Sequence, residues 1–586
     1  MESLSFPVLA RADAAGSSSS TPSWMEARLK VNTAMVSNYA ISLAALIGIF
    51  ILGHWARRLA GNASRSVIFY PVTALSRSLR KLFLRRLPGF TSVGHAVVVI
   101  IYVAFNAVFS FWQLDTSKKG NVASRFGWMA AANFAFVVFL ALKNTPLAIL
   151  TAYSYERLNS LHQIAGYTTL VYTILHASVY TEFFITAGRI YILQEHIVTA
   201  GIVAGFGMLF TVLAGMILKR RNYELFYIIH LALFVVIVVT FGLHRPQLES
   251  EKALGITIFV AALWGADRLI RMGRLAFNSI NNEATVFPLP NGGTRVVIKK
   301  QIMRARPGKH CYVWLPHIRK FETHPFTIVA SDPLELIINS HSGFTRDLHQ
   351  YASNNPGATL KVSVEGPYGT LPDPTDYDKV VLVAGGTGAT FTFGLAADMI
   401  RRLSPDSNKQ IDFIWVSRSR ESMNWFTQHL DNLVNHECAP KLGLKIHLTR
   451  ANTIDSTPAS NSGLLPHIFA DSEPKCSPAL EKEMQSGSGT DSSSESLRER
   501  DPEKNNNGSV RGSTSAIDEL NLPIIHGRPD IKTSVREAIL SADKNERVLV
   551  AACGPTGLVD IVRNTTASCI SVDGPSVELH CEQFGW

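Results

Sequence analysis

The 586-residue sequence predicts a multi-domain protein: an α-helical membrane bundle of about seven spans, then an antiparallel β-barrel, then an α/β domain. Three observations predict it. Apolar runs of spanning length crowd the first half. From about residue 283 they give way to short β-type runs between Pro and Gly turns, such as 294–300 and 309–316. At Lys379 an apolar strand run leads into a glycine turn and a helical pattern. A mean hydropathy of +0.13 with 17% charged residues excludes an ordinary soluble enzyme, a disulfide-rich secreted domain and a wholly disordered chain.

A span needs roughly 20 apolar residues to cross ~30 Å of hydrocarbon. The runs that qualify are 39–56, 94–113, 126–142, 161–185, 197–217 and 225–244, with a shorter seventh at 253–266. Residues 1–36, with their SSSSTPS stretch, read as a disordered extracytoplasmic tail, and residues 1–30 lack the pattern of a signal peptide. Lys and Arg number 25 against 11 Asp and Glu in residues 1–280, a net +14, so the remainder carries −4. The basic excess therefore lies beside the apolar segments, where anionic lipid is the partner, and no nucleic-acid footprint appears in the second half. Seven spans put the termini on opposite faces. With the N-terminus outside, 16 basic residues fall in cytosolic segments and 9 on the other face, so the C-terminal half is expected in the cytosol. All six cysteines lie in that half without a CxxC pair, which suits reduced thiols rather than zinc or disulfides.

Ionisable residues inside the spans are few, and each needs a partner. Two spans carry two histidines each, His162/His176 and His230/His244, both pairs 14 residues apart. Fourteen helical steps fall about 40° short of four turns, so both rings of a pair share a face, ~21 Å apart along the axis. The two helices run parallel, so His162 faces His230 near the cytosolic leaflet and His176 faces His244 near the outer one. That arrangement suits two haems stacked across the bilayer, each held by two imidazoles, with electron transfer as the chemistry. A lone intramembrane histidine is more often a helix–helix hydrogen bond. Two matched pairs on parallel helices are what favours ligation here. Glu182 reads as interfacial.

Seven spans, these histidine pairs and the soluble half resemble the fungal ferric and cupric metalloreductases of the ferric reductase and NADPH oxidase superfamily. The resemblance implies a haem-binding transmembrane domain (37–272), an FAD-binding β-barrel (280–375) and an NADPH-binding α/β domain (376–586), with two haem b groups. In the barrel, His324-Pro325-Phe326-Thr327 matches the segment that lies against the flavin, where an aromatic face stacks and a hydroxyl hydrogen-bonds. Related soluble flavin reductases often start this motif with arginine, so here pyrophosphate neutralisation has to come partly from elsewhere. Gly343-Phe344-Thr345 matches the segment approaching the FAD pyrophosphate, and Gly366-Pro367-Tyr368-Gly369 the end of the barrel, though alone it is a tight turn.

Gly385-Gly386-Thr387-Gly388, between the strand run and the helix, is the geometry in which backbone N–H groups hold a pyrophosphate. Ser417 and Arg418 end the next strand, where a hydroxyl and a guanidinium can grip a 2′-phosphate, favouring NADPH over NADH; solvated surface residues are the alternative. By resemblance, Cys553-Gly554-Pro555 lies near the nicotinamide, and Phe584, with Trp586 as the alternative, covers the flavin. The stretch 453–517, rich in Ser, Gly, Asn and charge, reads as a disordered insertion.

The expectation is a membrane-embedded reductase passing electrons from NADPH through FAD and two haems to ferric or cupric chelates on the opposite face. A metal permease is a further candidate partner. The plasma membrane is favoured, and the vacuolar membrane also fits. The alternatives are an NADPH oxidase making superoxide and a transporter or channel with a regulatory soluble half.

Overall fold

The computed structural model describes residues 23–60, 70–244, 250–450, 520 and 522–583. Nine α-helices build the first half among these residues. They are α1 (Ser23–Ala60), α2 (Tyr70–Phe83), α3 (Val93–Phe111), α4 (Lys119–Leu140), the short α5 (Leu147–Thr151), α6 (Tyr155–Thr186), α7 (His196–Arg221), α8 (Tyr223–Leu243) and α9 (Ser250–Ser279). Six of them, α1, α3, α4, α7, α8 and α9, are long and apolar enough to cross a membrane. The expected count was seven. The remaining long helix, α6, has 32 residues, but His162, Thr168, Thr169, Thr173 and His176 interrupt its apolar run.

Two boundaries differ from expectation. α1 begins at Ser23, inside the tail expected to be disordered over 1–36. Its Asn32 is buried, donates to Ser124 Oγ at 3.2 Å and accepts from Arg125 Nε at 2.8 Å. Arg125 is fully buried and also donates to the carbonyls of Phe109 and Trp112. It thus caps the C-terminal end of α3, where the helix dipole offsets a cation. A second buried network joins Tyr39, Tyr102 and Asn106 around Asn133, so α1, α3 and α4 are tied by polar groups that satisfy one another away from water. The apolar run 253–266 is part of a helix that continues to Ser279, because its charged end docks on the domain that follows.

That domain is a seven-stranded antiparallel sheet: β1 (Glu283–Leu289), β2 (Gly293–Ile298), β3 (His310–Trp314), β4 (His324–Ser331), β5 (Leu334–Asn339), β6 (Ala358–Lys361) and β7 (Ser363–Tyr368), in the order β6-β1-β2-β5-β4-β3-β7. Helix α10 (Phe344–Asn354) covers it through Phe344, Leu348 and Ala352. The last domain is a parallel sheet ordered β11-β10-β9-β8-β12-β13, made of β8 (Lys379–Gly385), β9 (Gln410–Ser417), β10 (Leu442–Leu448), β11 (Ile524–His526), β12 (Arg547–Cys553) and β13 (Ser576–Glu582). Helices α11 (Ala389–Arg402), α12 (Arg420–Met423), α13 (Thr427–Val434), α14 (Ile531–Leu540) and α15 (Thr556–Cys569) accompany it. Every residue of β8 is buried, as a central parallel strand requires. The chain runs outward from β8 to β11 and returns to β12 on the other side of β8. The switch point between β8 and β12 is where such sheets bind ligands.

The domains meet on the membrane helices. Arg271 of α9 holds Glu365 of β7 through two hydrogen bonds (2.5 and 3.1 Å), and Asn278 donates to the Val364 carbonyl. Lys143 sits 3.3 Å over the Tyr312 ring. Burial, then the charge of Arg271, holds its amine well below the ordinary lysine range. On α2, Arg77 donates to the carbonyls of Val572 and Gly574, and Leu84, just past α2, packs on the α/β domain. Helix α2 and the residue after it therefore pack against the α/β domain.

Candidate functional site

The four histidines, two on α6, one on α8 and one at the end of α8, meet in the expected pairs. The His162 and His230 ring centroids are 6.3 Å apart with planes at 59°, and those of His176 and His244 are 6.1 Å apart at 79°. Three of the rings are anchored on a neighbouring helix. Nδ1–H of His162 donates to the Val137 carbonyl (3.0 Å), that of His176 to Ala123 (2.8 Å) and that of His244 to Ile197 (2.7 Å). A carbonyl only accepts, so the proton is on Nδ1 and Nε2 keeps its lone pair. That is the tautomer of a metal-bound imidazole with a carbonyl behind it. Two metal–nitrogen bonds of about 2 Å plus two ring radii come to about 6 Å, the separation found in both tiers, so the pairs fit a haem iron between them.

Glycines let these rings in. A Cβ on Gly127 of α4 would lie 2.7 Å from His176 Nδ1, and one on Gly201 of α7 would overlap the His244 ring. Sequence reading found the histidines and missed these glycines, because glycine is common in membrane helices and its role shows only against a neighbouring helix. Glu182 pairs with Lys119 at 2.5 Å, both more than half exposed, in keeping with an interfacial place.

In the antiparallel sheet, His324, Pro325, Phe326 and Thr327 open β4, facing Val313, Tyr312, Cys311 and His310 of β3. The His324 ring stacks on Phe344 at 4.4 Å and 17°, and its Nε2 contacts Glu322 at 3.1 Å. Phe326 also stacks on Phe344. The two segments matched to the flavin and its pyrophosphate are therefore adjacent. Gly343 has φ +67° and leads into α10, whose N-terminus carries no side-chain cap among the described residues, whereas Thr345 Oγ1 already accepts from the His341 N–H. This arrangement fits FAD, with helix α10 supplying part of the charge compensation that the missing arginine does not.

At the switch point of the parallel sheet, Gly385, Gly386, Thr387 and Gly388 lie against Cys553, Gly554 and Pro555. A Cβ on Gly385 would meet Pro555 at 2.7 Å, and one on Gly388 would overlap the Cys553 carbonyl. Gly554 has φ +155°, and a Cβ on it would lie 2.9 Å from the Gly385 nitrogen. Such a cradle fits a dinucleotide held by backbone N–H groups and the start of α11. Cys553 is buried, and burial first, then the charge of Glu582, pushes its thiol above the ordinary range, so it stays protonated. Ser417 is buried and donates to the Ser419 carbonyl, whereas Arg418 is exposed at the strand's edge. Phe584, Trp586 and the stretch 453–517 lie outside the described residues.

Helix α6 connects the tiers to both soluble domains. Seven residues before His162, Tyr155 meets Tyr312 through their hydroxyls; Glu156 contacts His310 Nε2 at 2.8 Å, and Arg157 lies 3.1 Å from His580 Nδ1 of β13. His580 in turn bonds Glu582 (2.8 Å); burial would raise that carboxyl, but His580 and Arg157 hold it below the usual range. None of these junction residues stood out in the sequence, since their partners are far along the chain.

Comparison with known proteins agrees with the architecture. Three family models match in order: a ferric reductase like transmembrane component over residues 126–241, an FAD-binding domain over 280–371 and a ferric reductase NAD binding domain over 377–567. A probable cell surface ferric reductase (kap2) of Aspergillus oryzae is 28% identical over 379 residues, covering 58% of this chain and half of that relative's length. A probable ferric reductase transmembrane component of Candida albicans is 24% identical over 605 residues, covering 94% of this chain and 84% of the relative. Ferric reductase transmembrane component 3 of Saccharomyces cerevisiae is 25% identical over 543 residues, covering 88% and 69%. In that order, the membrane, FAD-binding and NAD-binding parts of the chain match the component models of ferric reductases.

Proposed function

We propose that this chain is a transmembrane metalloreductase that takes electrons from NADPH in the cytosol and delivers them to ferric or cupric chelates on the far side. The observation that carries the reading is the two tiers of paired imidazoles, each ring held in the metal-binding tautomer or facing one that is. Bound in their sites, NADPH supplies a hydride, FAD the step from two electrons to one, and two haems a pair of one-electron relays.

The chain's own residues do the rest. The Gly385–Gly388 turn and the start of α11 hold the pyrophosphate of NADPH, and Arg418 takes the 2′-phosphate. Cys553, Gly554 and Pro555 shape the floor on which the nicotinamide lies. His324, Phe326 and Thr327 set the flavin, with α10 at its phosphates. His162 and His230 hold the cytosolic tier, His176 and His244 the outer one. With two imidazoles in each tier to hold it, a haem there would serve electron transfer rather than oxygen binding. No acid or base is needed within the bundle.

In this reading α6 is the seventh span, and the sheet is a closed barrel, because β6 and β7 are separated by Val362 alone while pairing with opposite edges. The N-terminus lies outside and both soluble domains in the cytosol, supported by the basic ends of α2 and α7 and the docking of α2 on the α/β domain. The protein sits in the plasma membrane, or the vacuolar one, and passes reduced metal to a separate permease. NADPH-dependent reduction by sealed vesicles, offered ferric chelate, cupric chelate and oxygen in turn, tests it. Metal reduction on the face opposite NADPH is expected; superoxide as the main product makes the chain an oxidase.

A further inference from the structure

The histidines are not the only groups in the bundle that repeat at fourteen residues. Their carbonyl anchors on α4 are Ala123 and Val137, and 137 − 123 = 14. On α7, Ile197 anchors His244. The same register leads to Thr211, 14 residues on, but among the described residues no hydrogen bond closes on His230 Nδ1. Four residues after each of these carbonyls stands a small residue: Gly127, Ala141, Gly201 and Gly215.

The helix explains the offset. The carbonyl of residue i bonds the N–H of residue i+4, and the Cβ of residue i+4 tilts back over that carbonyl. A side chain there screens the second lone pair. Glycine leaves it open to a ring from the next helix. At the outer tier both rings use the gap, His176 over Gly127 and His244 over Gly201. At the inner tier the device is looser: Ala141 lies at the end of α4, and a Cβ on Gly215 would meet Phe226 at 3.7 Å rather than a histidine.

We propose that Gly127 and Gly201 are positioning residues for the outer imidazole pair, opening the Ala123 and Ile197 carbonyls to Nδ1–H of His176 and His244. This rests on the haem reading above. The two hydrogen bonds keep both Nε2 lone pairs aimed into the gap and hold the rings near perpendicular, at 79° against 59° in the inner tier. Losing a partner behind a metal-bound histidine typically costs about 10–100-fold in retention of the metal.

The test uses the full chain purified with its cofactors, as wild type and as Gly127→Ala, Gly201→Ala and Gly207→Ala. Gly207→Ala is the packing control: its Cβ would crowd Ile237 Cγ1 at 2.9 Å, in the same α7–α8 interface but away from any histidine. Low-spin ferric EPR and a redox titration read the two tiers separately. Gly127→Ala and Gly201→Ala are expected to shift or lose the outer signal and its midpoint potential while leaving the inner one in place, and Gly207→Ala is expected to move neither. An unchanged outer signal at full haem content in both alanine variants, or an equal shift in Gly207→Ala, overturns the proposal. Where a variant fails to accumulate, proton ENDOR on the wild type decides: two exchangeable, hydrogen-bonded Nδ1 protons on the outer tier are expected, and their absence overturns it. A wild type without any haem signal refutes the haem reading itself, which is a separate result.

Discussion

In the helical half the proposed site consists of four side chains hung from two helices, α6 and α8, with a carbonyl of α4 or α7 behind three of them. In the α/β domain the crevice is lined by main chain: the turn at Gly385–Gly388 and the turn at Cys553–Pro555, pressed so close that a methyl group would not fit. The solvent explains the difference. In lipid a polar side chain has no water to fall back on and must meet a partner, so it is rare and its spacing informative. In the soluble domain the ligand is charged and flexible, and backbone N–H groups at a strand-to-helix turn grip it without a distinctive side chain.

The comparison predicts that side-chain loss is decisive in the membrane. His176→Leu should abolish reduction on the far side of sealed vesicles while NADPH oxidation with an artificial cytosolic acceptor persists; loss of both together would break the separation of the two halves. Next is the joint between them. Arg271→Ala leaves the buried Glu365 without its guanidinium, with the Tyr368 hydroxyl still donating at 2.6 Å, which costs about 3 kcal/mol, read as a fall in the melting temperature of the flavin-binding domain. Burial would raise the Glu365 carboxyl, but the hydrogen bond and charge of Arg271, with Lys143, hold it below the usual range. A depressed carboxyl stabilises the fold above its unfolded value of about 4.3 and stops doing so as pH falls through its lower folded value. The joint should therefore survive mild acid and weaken below about pH 4, with the wild type losing its advantage over Glu365→Gln there.

In the α/β domain, backbone shape should matter more than side chains. Gly388→Ala, which drives a methyl into the Cys553 carbonyl, should slow flavin reduction by NADPH about 100-fold, the usual result of a misplacement of about 1 Å. Arg418→Ala should lower the preference for NADPH over NADH about tenfold, through KM rather than kcat. The smallest effect belongs to Cys553→Ala: a protonated, buried thiol contributes packing of about 1 kcal/mol, and the pH–rate profile should keep its shape.

The same contrast explains what the sequence made legible. Paired histidines, the two kinds of sheet and the order of the domains were readable because hydropathy and spacing are local signals. The start of α1 at Ser23 was not, since it depends on Asn32 meeting Arg125, 93 residues away. Nor was the reach of α9 to Ser279, whose polar end looks like a loop until Arg271 finds Glu365. Gly127 and Gly201 were invisible for the same reason: a missing side chain has no pattern of its own.

The central claim is that paired imidazoles relay electrons through the bundle, and a reduced-minus-oxidised spectrum of the purified chain, expressed with ample porphyrin, tests it most directly. Two low-spin haems per chain, reduced by NADPH and reoxidised by ferric chelate, are the predicted result. A flavin-loaded, folded chain with no Soret band would contradict it.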